Sequence, residues 1–101
     1  MSKGYWIARV DVDDLDQYKQ YIAANAKPLA AFGAKFLVRA GRSEAPEGTS
    51  RSRNVVIEFP SYQAALDCYH SPAYQEAMKL RLPVSRGDLL IAEGYEGPQP
   101  T

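Results

Sequence analysis

Four charged side chains have the types that hold anions or move protons. Arg9 and Arg39 carry guanidinium groups, which can bind a carboxylate or a carbonyl oxygen. Glu58 and Glu93 carry carboxylates, and a glutamate whose pKa is raised can act as a general base. We therefore expect a polar pocket on the sheet that binds a small anionic or carbonyl-bearing molecule. In an enzyme, Glu58 and Glu93 would be candidate catalytic residues.

The same four charges also have a structural interpretation. Ion pairs that only stabilise a structure perturb pKa values too, and so they resemble active sites. Removing one member of a buried pair costs ~3–5 kcal/mol, and mutual pairing requires a balanced set of charges such as this one. On this interpretation the protein is a non-catalytic homodimer whose charged residues only stabilise the interface. The sequence leaves open which hypothesis holds and whether the protein is an enzyme.

The single histidine, His70, is the third candidate catalytic residue, because imidazole is the usual general base. Its place at the end of a predicted helix favours a capping role toward free carbonyl groups instead. Cys68 lies two residues away and points elsewhere on a helix, which disfavours a Cys–His nucleophile pair. One histidine and one cysteine lack the spacing of metal ligands, and we predict no metal site and no cofactor.

Three tyrosines, Tyr18, Tyr69 and Tyr74, fall on the apolar stripes of predicted helices and should face the sheet. Their rings would then be core residues, with each hydroxyl group reaching one partner. Alternatively, these hydroxyl groups and Trp6 line a cavity between helices and sheet that holds an aromatic or quinone-like molecule. Tyr18 and Tyr74 are therefore candidate ligand-binding residues.

The elements that position these residues follow from periodicity. Alternating segments predict strands at 5–12, 35–40, 54–59 and 89–95. Helical spacing predicts one helix after the first strand and a second helical region from 62 to about 82. The order is β-α-β-β-α-β. In about one hundred residues this order predicts an α+β, ferredoxin-like fold, with a four-stranded antiparallel sheet and two helices on one face.

Local signals predict where the helices begin and end. Asp13 or Asp14 should cap the first helix, and Ser61 and Ser71 should cap the later helical pieces. Pro28 lacks an amide, so the first helix should kink or end near residue 27, before a turn at residue 33. The stripe of the first helix is predicted to be Leu15, Tyr18, Ile22, Ala26 and Leu29. Residues 83–88 should separate the second helical region from the last strand.

Side chains alternate between the two faces of a sheet, so parity divides each strand into two sets. The helices cover one face, and we call the other the open face. Assigning the more apolar sets to the helices leaves nine residues on the open face: Tyr5, Ile7, Arg9, Leu37, Arg39, Val56, Glu58, Ile91 and Glu93. A monomer would expose this largely apolar face to water, which is unfavourable. We therefore predict a homodimer joined sheet to sheet.

Length and composition exclude several classes of protein. The 101 residues predict one domain, placed at 1–96, and a flexible tail at 97–101. Twelve basic and twelve acidic residues balance, so we expect no nucleic-acid partner. No apolar run is long enough for a bilayer and no signal peptide is visible, so we expect a cytoplasmic protein with no membrane partner.

Five motifs occur in order along most of the chain: Tyr5–Val10, Phe36–Arg39, Val55–Ser61, Ser71–Gln75 and Glu93–Tyr95. Together they resemble the domain-of-unknown-function family 1330, over residues 5–96. The resemblance implies a dimeric α/β barrel, in which ferredoxin-like protomers pair through their sheets, and it implies no particular reaction. Relatives sharing the wider fold include cofactor-free monooxygenases, a lactone isomerase and haem enzymes, and such kinship does not assign chemistry. For a haem, His70 would be the one conventional axial ligand.

The long loop at 41–53 is predicted to act as a lid or to wrap the partner subunit, with ordinary disorder as the alternative. Members of the resembled family often carry a tryptophan late in this loop, where this sequence has Thr49, Ser50 and Ser52. If that tryptophan packs over a ligand, the pocket here is altered or more open. Arg81 and Arg86 flank the predicted break before the last strand. They are interpreted as solvated loop charges, with anion recognition at a pocket mouth as the alternative.

Overall fold

The structure, a computed structural model, describes residues 2–101. The strands of this region are β1 (Gly4–Val12), β2 (Lys35–Arg39), β3 (Arg53–Phe59) and β4 (Ser85–Glu93). Its helices are α1 (Leu15–Ala31), α2 (Tyr62–His70) and α3 (Pro72–Arg81), followed by a 3-10 turn at Leu82–Val84. The strands pair antiparallel in the order β2-β3-β1-β4. The predicted α+β, ferredoxin-like fold is confirmed, with the second helical region divided at Ser71.

The predicted helix caps are confirmed. Asp14, Ser61 and Ser71 have extended backbones and precede α1, α2 and α3. Each side chain accepts a hydrogen bond, at 3.0–3.2 Å, from the backbone N–H three residues later. Because the first N–H groups of a helix have no partner within it, these side chains determine where each helix begins.

Helix α1 continues past Pro28 to Ala31, so the predicted end near residue 27 is wrong. Pro28 is buried in the helix interior. This burial compensates for the one backbone hydrogen bond that a proline removes.

The buried stripe of α1 differs from the predicted one. Leu15 is 55% exposed and Ala26 is also exposed, so the prediction is wrong for both, whereas Tyr18 and Leu29 are buried as expected. The buried residues of α1 are Tyr18, Tyr21, Asn25, Pro28 and Leu29. Tyr21 and Asn25 follow Tyr18 at helical spacing, on a stripe turned slightly away from the predicted one, and Asn25 is a polar residue that a count of apolar residues omits.

Strand β4 begins at Ser85, four residues earlier than predicted, and ends at Glu93. The predicted break is shorter because Pro83 belongs to a single 3-10 turn. Gly87 allows the early part of β4 to pair with β1, since a Cβ atom there would lie 2.4 Å from the backbone oxygen of Arg9. A glycine inside a strand marks such a close backbone approach.

The core lies between the helices and one face of the sheet. Trp6 is 2% exposed, and its indole N–H donates a 2.9 Å hydrogen bond to the backbone oxygen of Ala65 in α2. Its ring packs against Phe59 and edge-on against Tyr74, with centroids 5.1 and 4.8 Å away. Aromatic pairs in such geometries stabilise a core beyond the area that they bury. Cys68 is fully buried nearby, and burial raises the pKa of its thiol to about 12.

Within residues 2–101, none of the helices combines the length and the apolar character needed to cross a membrane.

The turn after α1 depends on Gly33, whose φ of +75° is a conformation that side chains disfavour. A Cβ atom there would also lie 2.9 Å from the Pro60 ring. Gly48 has a similar φ of +74° in open space, and a Cβ atom on Gly41 meets nothing within 4 Å.

We expect alanine at these three glycines to separate backbone strain from steric clash. Gly33→Ala should lower the free energy of unfolding by about 1–2 kcal/mol, Gly48→Ala by about 1 kcal/mol or less, and Gly41→Ala by almost nothing. Urea denaturation monitored by circular dichroism measures all three. Equal stability of the Gly33→Ala and Gly41→Ala variants would contradict the described turn.

Candidate functional site

The strand pairing places most of the predicted open face where the sequence put it. Residues directly opposite each other in neighbouring strands share a face. Trp6 lies opposite Ile57, and both are buried beneath the helices. The intervening residues therefore point to the open face, which confirms the predicted positions there of Tyr5, Ile7, Arg9, Val56 and Glu58.

Arg39 lies on the helix-covered face, so its predicted position on the open face is wrong. Strand β2 pairs Phe36 with Ile57 and then Val38 with Val56, which leaves Leu37 as an extra residue in a bulge. An extra residue reverses the alternation that follows it. Val38 consequently joins the open face, although parity assigned it to the helices, and Arg39 pairs with Val55 on the covered face.

Ile91 and Glu93 were also predicted on the open face, and this prediction is wrong for both. Ile91 lies opposite Trp6 and Glu93 lies opposite Gly4, on the helix-covered side. Leu90 occupies the open face instead, opposite Ile7. Strand β4 is apolar at both parities around these positions, so alternation carried no information about which set faces the helices.

The four charges predicted to act together are thus dispersed. Arg9 donates a 2.8 Å hydrogen bond to the backbone oxygen of Thr49, and Glu58 accepts one of 3.3 Å from the Tyr5 hydroxyl group. The guanidinium of Arg39 stacks on the Phe36 ring, with its carbon 3.9 Å from the centroid. Glu93 is exposed at the end of β4. The interpretation of Arg9, Arg39, Glu58 and Glu93 as one cluster is wrong.

The last residues of the loop at 41–53 lie against one end of the open face. Arg51 pairs with Asp11 at 2.8 Å and with Asp88 at 3.4 Å. The backbone N–H of Ser52 donates a 3.0 Å hydrogen bond to Asp11, and this bond does most to lower the pKa of that carboxyl. Burial opposes the effect, and Arg51 adds to it. The end of the loop is therefore fixed to the sheet by charged groups.

A cavity lies between α1, α3 and the helix-covered face, and we call it the helix–sheet cavity. Its helical lining is Tyr18, Tyr21, Ile22, Asn25, Tyr74 and Arg81. Its sheet lining includes Trp6, Phe36, Arg39, Arg53, Val55 and Ile57. Helix α1 packs mainly on α3, and α2 is the helix that lies directly on β1, β3 and β4. Because α1 packs mainly on α3, a space remains between α1 and the sheet, and side chains line it.

The helix–sheet cavity is small and partly open. Its internal volume is about 50 Å³, several times the ~10–15 Å³ that one water molecule requires. Tyr18, Tyr74 and Trp6 are buried in its walls. Phe36 and Arg39 are exposed, so we place an opening at the edge strand β2. The cavity is large enough for the head group of a small molecule.

Two tyrosine hydroxyl groups meet in the cavity wall beside an arginine. Those of Tyr21 and Tyr74 share a 2.8 Å hydrogen bond. Burial raises the pKa of Tyr74, and the proximity of Tyr21 raises it further. Burial alone would lower the pKa of Arg81, but its interactions with Tyr74 and Tyr21 outweigh this and raise it. At neutral pH the cavity therefore contains the neutral phenol group of Tyr74 beside the positive charge of Arg81.

Two other polar atoms of the cavity lining have no partner within the protein. Among the side chains of residues 2–101, Asn25 Oδ1 and Arg53 Nε are the buried nitrogen and oxygen atoms without a hydrogen bond. Asn25 is only 7% exposed. Buried polar groups are almost always hydrogen-bonded, and an unpartnered one typically costs about 1–3 kcal/mol. Asn25 and Arg53 both line the same cavity, so the two unpartnered atoms belong to residues of one cavity wall, where a polar molecule can bind.

The remaining predicted site residues lie elsewhere. His70 ends α2, is exposed and packs edge-on against the Tyr69 ring, 5.2 Å away. Ser71 donates a hydrogen bond to the Cys68 carbonyl in that last turn, the interaction that was expected of His70. Tyr69 faces the core as predicted, and its hydroxyl donates to the Met78 sulfur.

Sequence reasoning missed Tyr21, Asn25 and Arg53. Tyr21 and Asn25 follow Tyr18 by three and seven residues, so helical spacing alone would have placed them on the same face. Arg53 is two residues before Val55, and alternation would have put it beneath the helices had β3 been extended by one residue. Arg81, interpreted as a solvated loop charge, lies at the end of α3 and lines the cavity. The cavity itself was one of the two alternatives left open for the tyrosines.

The Tyr21–Tyr74 pair predicts non-additive effects on stability. Each of Tyr21→Phe and Tyr74→Phe removes one hydroxyl and strands its partner, so each should destabilise the protein by about 1–2 kcal/mol. The double variant should lose less than the sum of these effects, since neither hydroxyl remains. Denaturant titration measures the free energy of unfolding of all four proteins in this double-mutant cycle, with the exposed Tyr62→Phe as the control. Strictly additive losses would show that the two hydroxyls do not interact.

The lowered pKa of Asp11 predicts a dependence of stability on pH. A carboxyl whose pKa is lowered by folding stabilises the protein above its ordinary pKa, near 3.8, and loses this effect as the pH falls through the lowered value. Asp11→Asn should therefore be less stable than wild type at neutral pH, and the difference should vanish in acid. Proteolysis of the loop at 41–53 should accelerate in the same variant. Glu44→Gln, an exposed loop variant, is the control, and a pH-independent difference would argue against the Ser52 and Arg51 contacts.

Solved structures share this fold at low sequence identity. A protein of unknown function from Rhodopseudomonas palustris aligns with a TM-score of 0.75 and 15% identity, over 95% of this chain and 85% of that one. SnoaB, a cofactor-independent oxygenase from Streptomyces nogalater, aligns with a TM-score of 0.63 and 12% identity, over 99% and 97%. A dimeric ferredoxin-like protein of unknown function from Thermobifida fusca aligns with a TM-score of 0.59 and 19% identity, over 91% and 89%. At these identities the likeness shows the fold alone.

Among curated proteins, none matches this sequence. A family model does, and the family is described as a domain of unknown function, DUF1330. The match covers residues 3–95, nearly the whole chain, and it confirms the resemblance seen in the motifs. The protein therefore belongs to the DUF1330 family.

Proposed function

We propose that this protein is a homodimer that binds a small molecule in the helix–sheet cavity. The observation that carries the proposal is that two residues of the cavity wall, Asn25 and Arg53, each have a buried polar atom without a hydrogen-bond partner, Oδ1 and Nε. Aromatic and aliphatic walls with a few convergent polar groups are typical of ligand sites. A bound molecule would supply the hydrogen bonds that these two atoms lack in the protein.

Part of the site predicted from sequence is retained in this proposal. Tyr18 and Tyr74 line the cavity, and Arg39 lies at its opening, where it can meet an anionic or carbonyl-bearing molecule. Arg9 and Glu58 are on the open face and are not assigned to ligand binding, and neither is Glu93 at the end of β4.

The homodimer is proposed on the composition of the open face. Ile7, Val38, Val56 and Leu90 are neighbours there by strand pairing, and Leu90 is 55% exposed. A contiguous apolar patch on a sheet is typical of an interaction surface. The fold neighbour from Thermobifida fusca is described as dimeric, which supports self-association. A second copy could cover the patch through the same residues about a two-fold axis.

A second candidate function is that of a cofactor-independent enzyme using the same cavity. The hydrogen-bonded hydroxyl groups of Tyr21 and Tyr74 beside Arg81 favour it, because they could stabilise negative charge that develops on an oxygen of a bound molecule. SnoaB, which shares the fold, is described as a cofactor-independent oxygenase.

The ligand site can be tested with Trp6, the single tryptophan of the chain, which lines the cavity. We expect saturable changes in its fluorescence when the protein is titrated with a panel of three-carbon acids, amides and alcohols. A fragment that binds should also stabilise the fold, by about 2.7 kcal/mol at one hundred times its Kd. Ala8→Leu should fill the cavity and abolish binding, whereas Ala23→Leu, exposed on α1, should not. Lack of saturable binding, or unchanged binding by Ala8→Leu, would refute the site.

The homodimer can be tested by sedimentation. Wild type should sediment at twice the protomer mass of 11.2 kDa. Leu90→Glu places a charge in the apolar patch and should shift the population to monomers. Leu15→Glu introduces the same charge at an equally exposed leucine on α1 and should leave the dimer intact. A monomeric wild type at micromolar concentration would contradict the proposal.

A further inference from the structure

We propose that the helix–sheet cavity takes a short hydroxycarboxylate, with its carboxylate toward the cavity arginines and its hydroxyl group toward Asn25. This inference rests on the ligand site proposed above and names the chemical class of its occupant. Four observations carry it: the two unpartnered atoms, the charge of the lining, the free hydrogen of the tyrosine pair and the size of the space.

The unpartnered atoms require a molecule with two kinds of polar group. Arg53 Nε carries a hydrogen and can only donate, so it needs an acceptor. Asn25 Oδ1 can only accept, so it needs a hydrogen-bond donor. A simple carboxylate offers acceptors alone at neutral pH, and an ammonium group offers donors alone. A molecule with both a carboxylate and a hydroxyl group satisfies both atoms.

The charge of the lining selects an anion. Arg39, Arg53 and Arg81 are the basic residues of the lining within residues 2–101, and its one acidic residue, Asp88, lies opposite Arg9, so that its side chain is on the open face. Asp88 is mostly exposed and already pairs with Arg51 at 3.4 Å. The chain as a whole has no net charge, so the excess of positive charge at the cavity is a local feature. Arginine is the side chain best suited to bind a carboxylate.

The tyrosine pair provides a further donor. One of the Tyr21 and Tyr74 hydroxyl groups donates to the other, and the accepting hydroxyl keeps its own hydrogen. That hydrogen can be directed into the cavity toward a carboxylate oxygen. With Arg53 and Arg81, it would surround the anion with donors.

The space limits the ligand to a short molecule. The cavity has room for a few water molecules and hence for a ligand of a few non-hydrogen atoms, so a longer ligand would extend through the opening at β2. Ile22, Val55 and Ile57 line the same space and suit a short carbon chain. These dimensions exclude a large polycyclic ligand from the interior as it stands.

Four probes with one carbon skeleton separate the requirements. They are 2-hydroxypropionate, 3-hydroxypropionate, propionate and lactamide, titrated against the intact protein with Trp6 fluorescence as the readout. Propionate lacks the hydroxyl group, and lactamide lacks the negative charge. We expect at least one hydroxypropionate to bind about 5-fold or more tightly than propionate and about 10-fold or more tightly than lactamide.

Variants assign the two contacts. Asn25→Leu should abolish the preference for the hydroxyl group and leave the affinity for propionate within about 2-fold. Arg53→Gln should weaken both acids about 10-fold or more, with little change for lactamide, and Arg53→Lys should be intermediate because it keeps the charge. Arg42→Gln, in the exposed loop, is the matched control. Circular dichroism confirms that each variant is folded before its affinity is interpreted.

The outcomes distinguish this inference from the function on which it rests. Tighter binding of a hydroxypropionate, lost through Asn25→Leu and Arg53→Gln, supports both. Equal binding of lactamide and the acids, blocked by Ala8→Leu, would overturn the hydroxycarboxylate assignment and keep the cavity as a ligand site. Lack of binding by every probe and by the wider fragment panel would overturn the ligand site itself.

Discussion

A polar atom that is buried away from water must find a hydrogen-bond partner, and this constraint governs how the space under α1 is understood. On the helix-covered side of the sheet, almost every buried polar side-chain atom of residues 2–101 has a hydrogen-bond partner. Trp6 donates to a backbone oxygen, and the hydroxyl groups of Tyr21 and Tyr74 satisfy each other. Asn25 and Arg53 are the exceptions, and they line one cavity. The candidate site is therefore the place where the fold departs from a rule that it otherwise follows.

The fold was predictable because its signals are local. Capping side chains such as Asp14 and Ser61 act within one turn, and alternation in β1 assigned Trp6 and Arg9 to opposite faces without knowledge of a partner strand. The site was less predictable because its membership depends on pairing. A single bulged residue in β2 places Arg39 on the face opposite to the predicted one, and the residue types in β2 do not predict that bulge.

The two proposed roles lie on opposite faces of the sheet. The open face carries an apolar patch and a charged end where Arg51 pairs with Asp11. The covered face carries the helix–sheet cavity. Because β1 contributes alternate residues to both faces, Ile7 and Trp6 are neighbours in sequence and belong to different sites. A change at one face can reach the other only through the sheet itself.

The four isoleucines of the chain can report whether a ligand occupies the proposed site under α1 or the open face. Ile22 and Ile57 line the cavity, whereas Ile7 lies on the open face. We would label the isoleucine methyl groups with carbon-13 and record their NMR spectra during titration with the hydroxypropionates. A ligand under α1 should cause saturable shifts of the Ile22 and Ile57 methyl signals and leave the Ile7 signal unchanged. Shifts confined to Ile7 would contradict the proposed site.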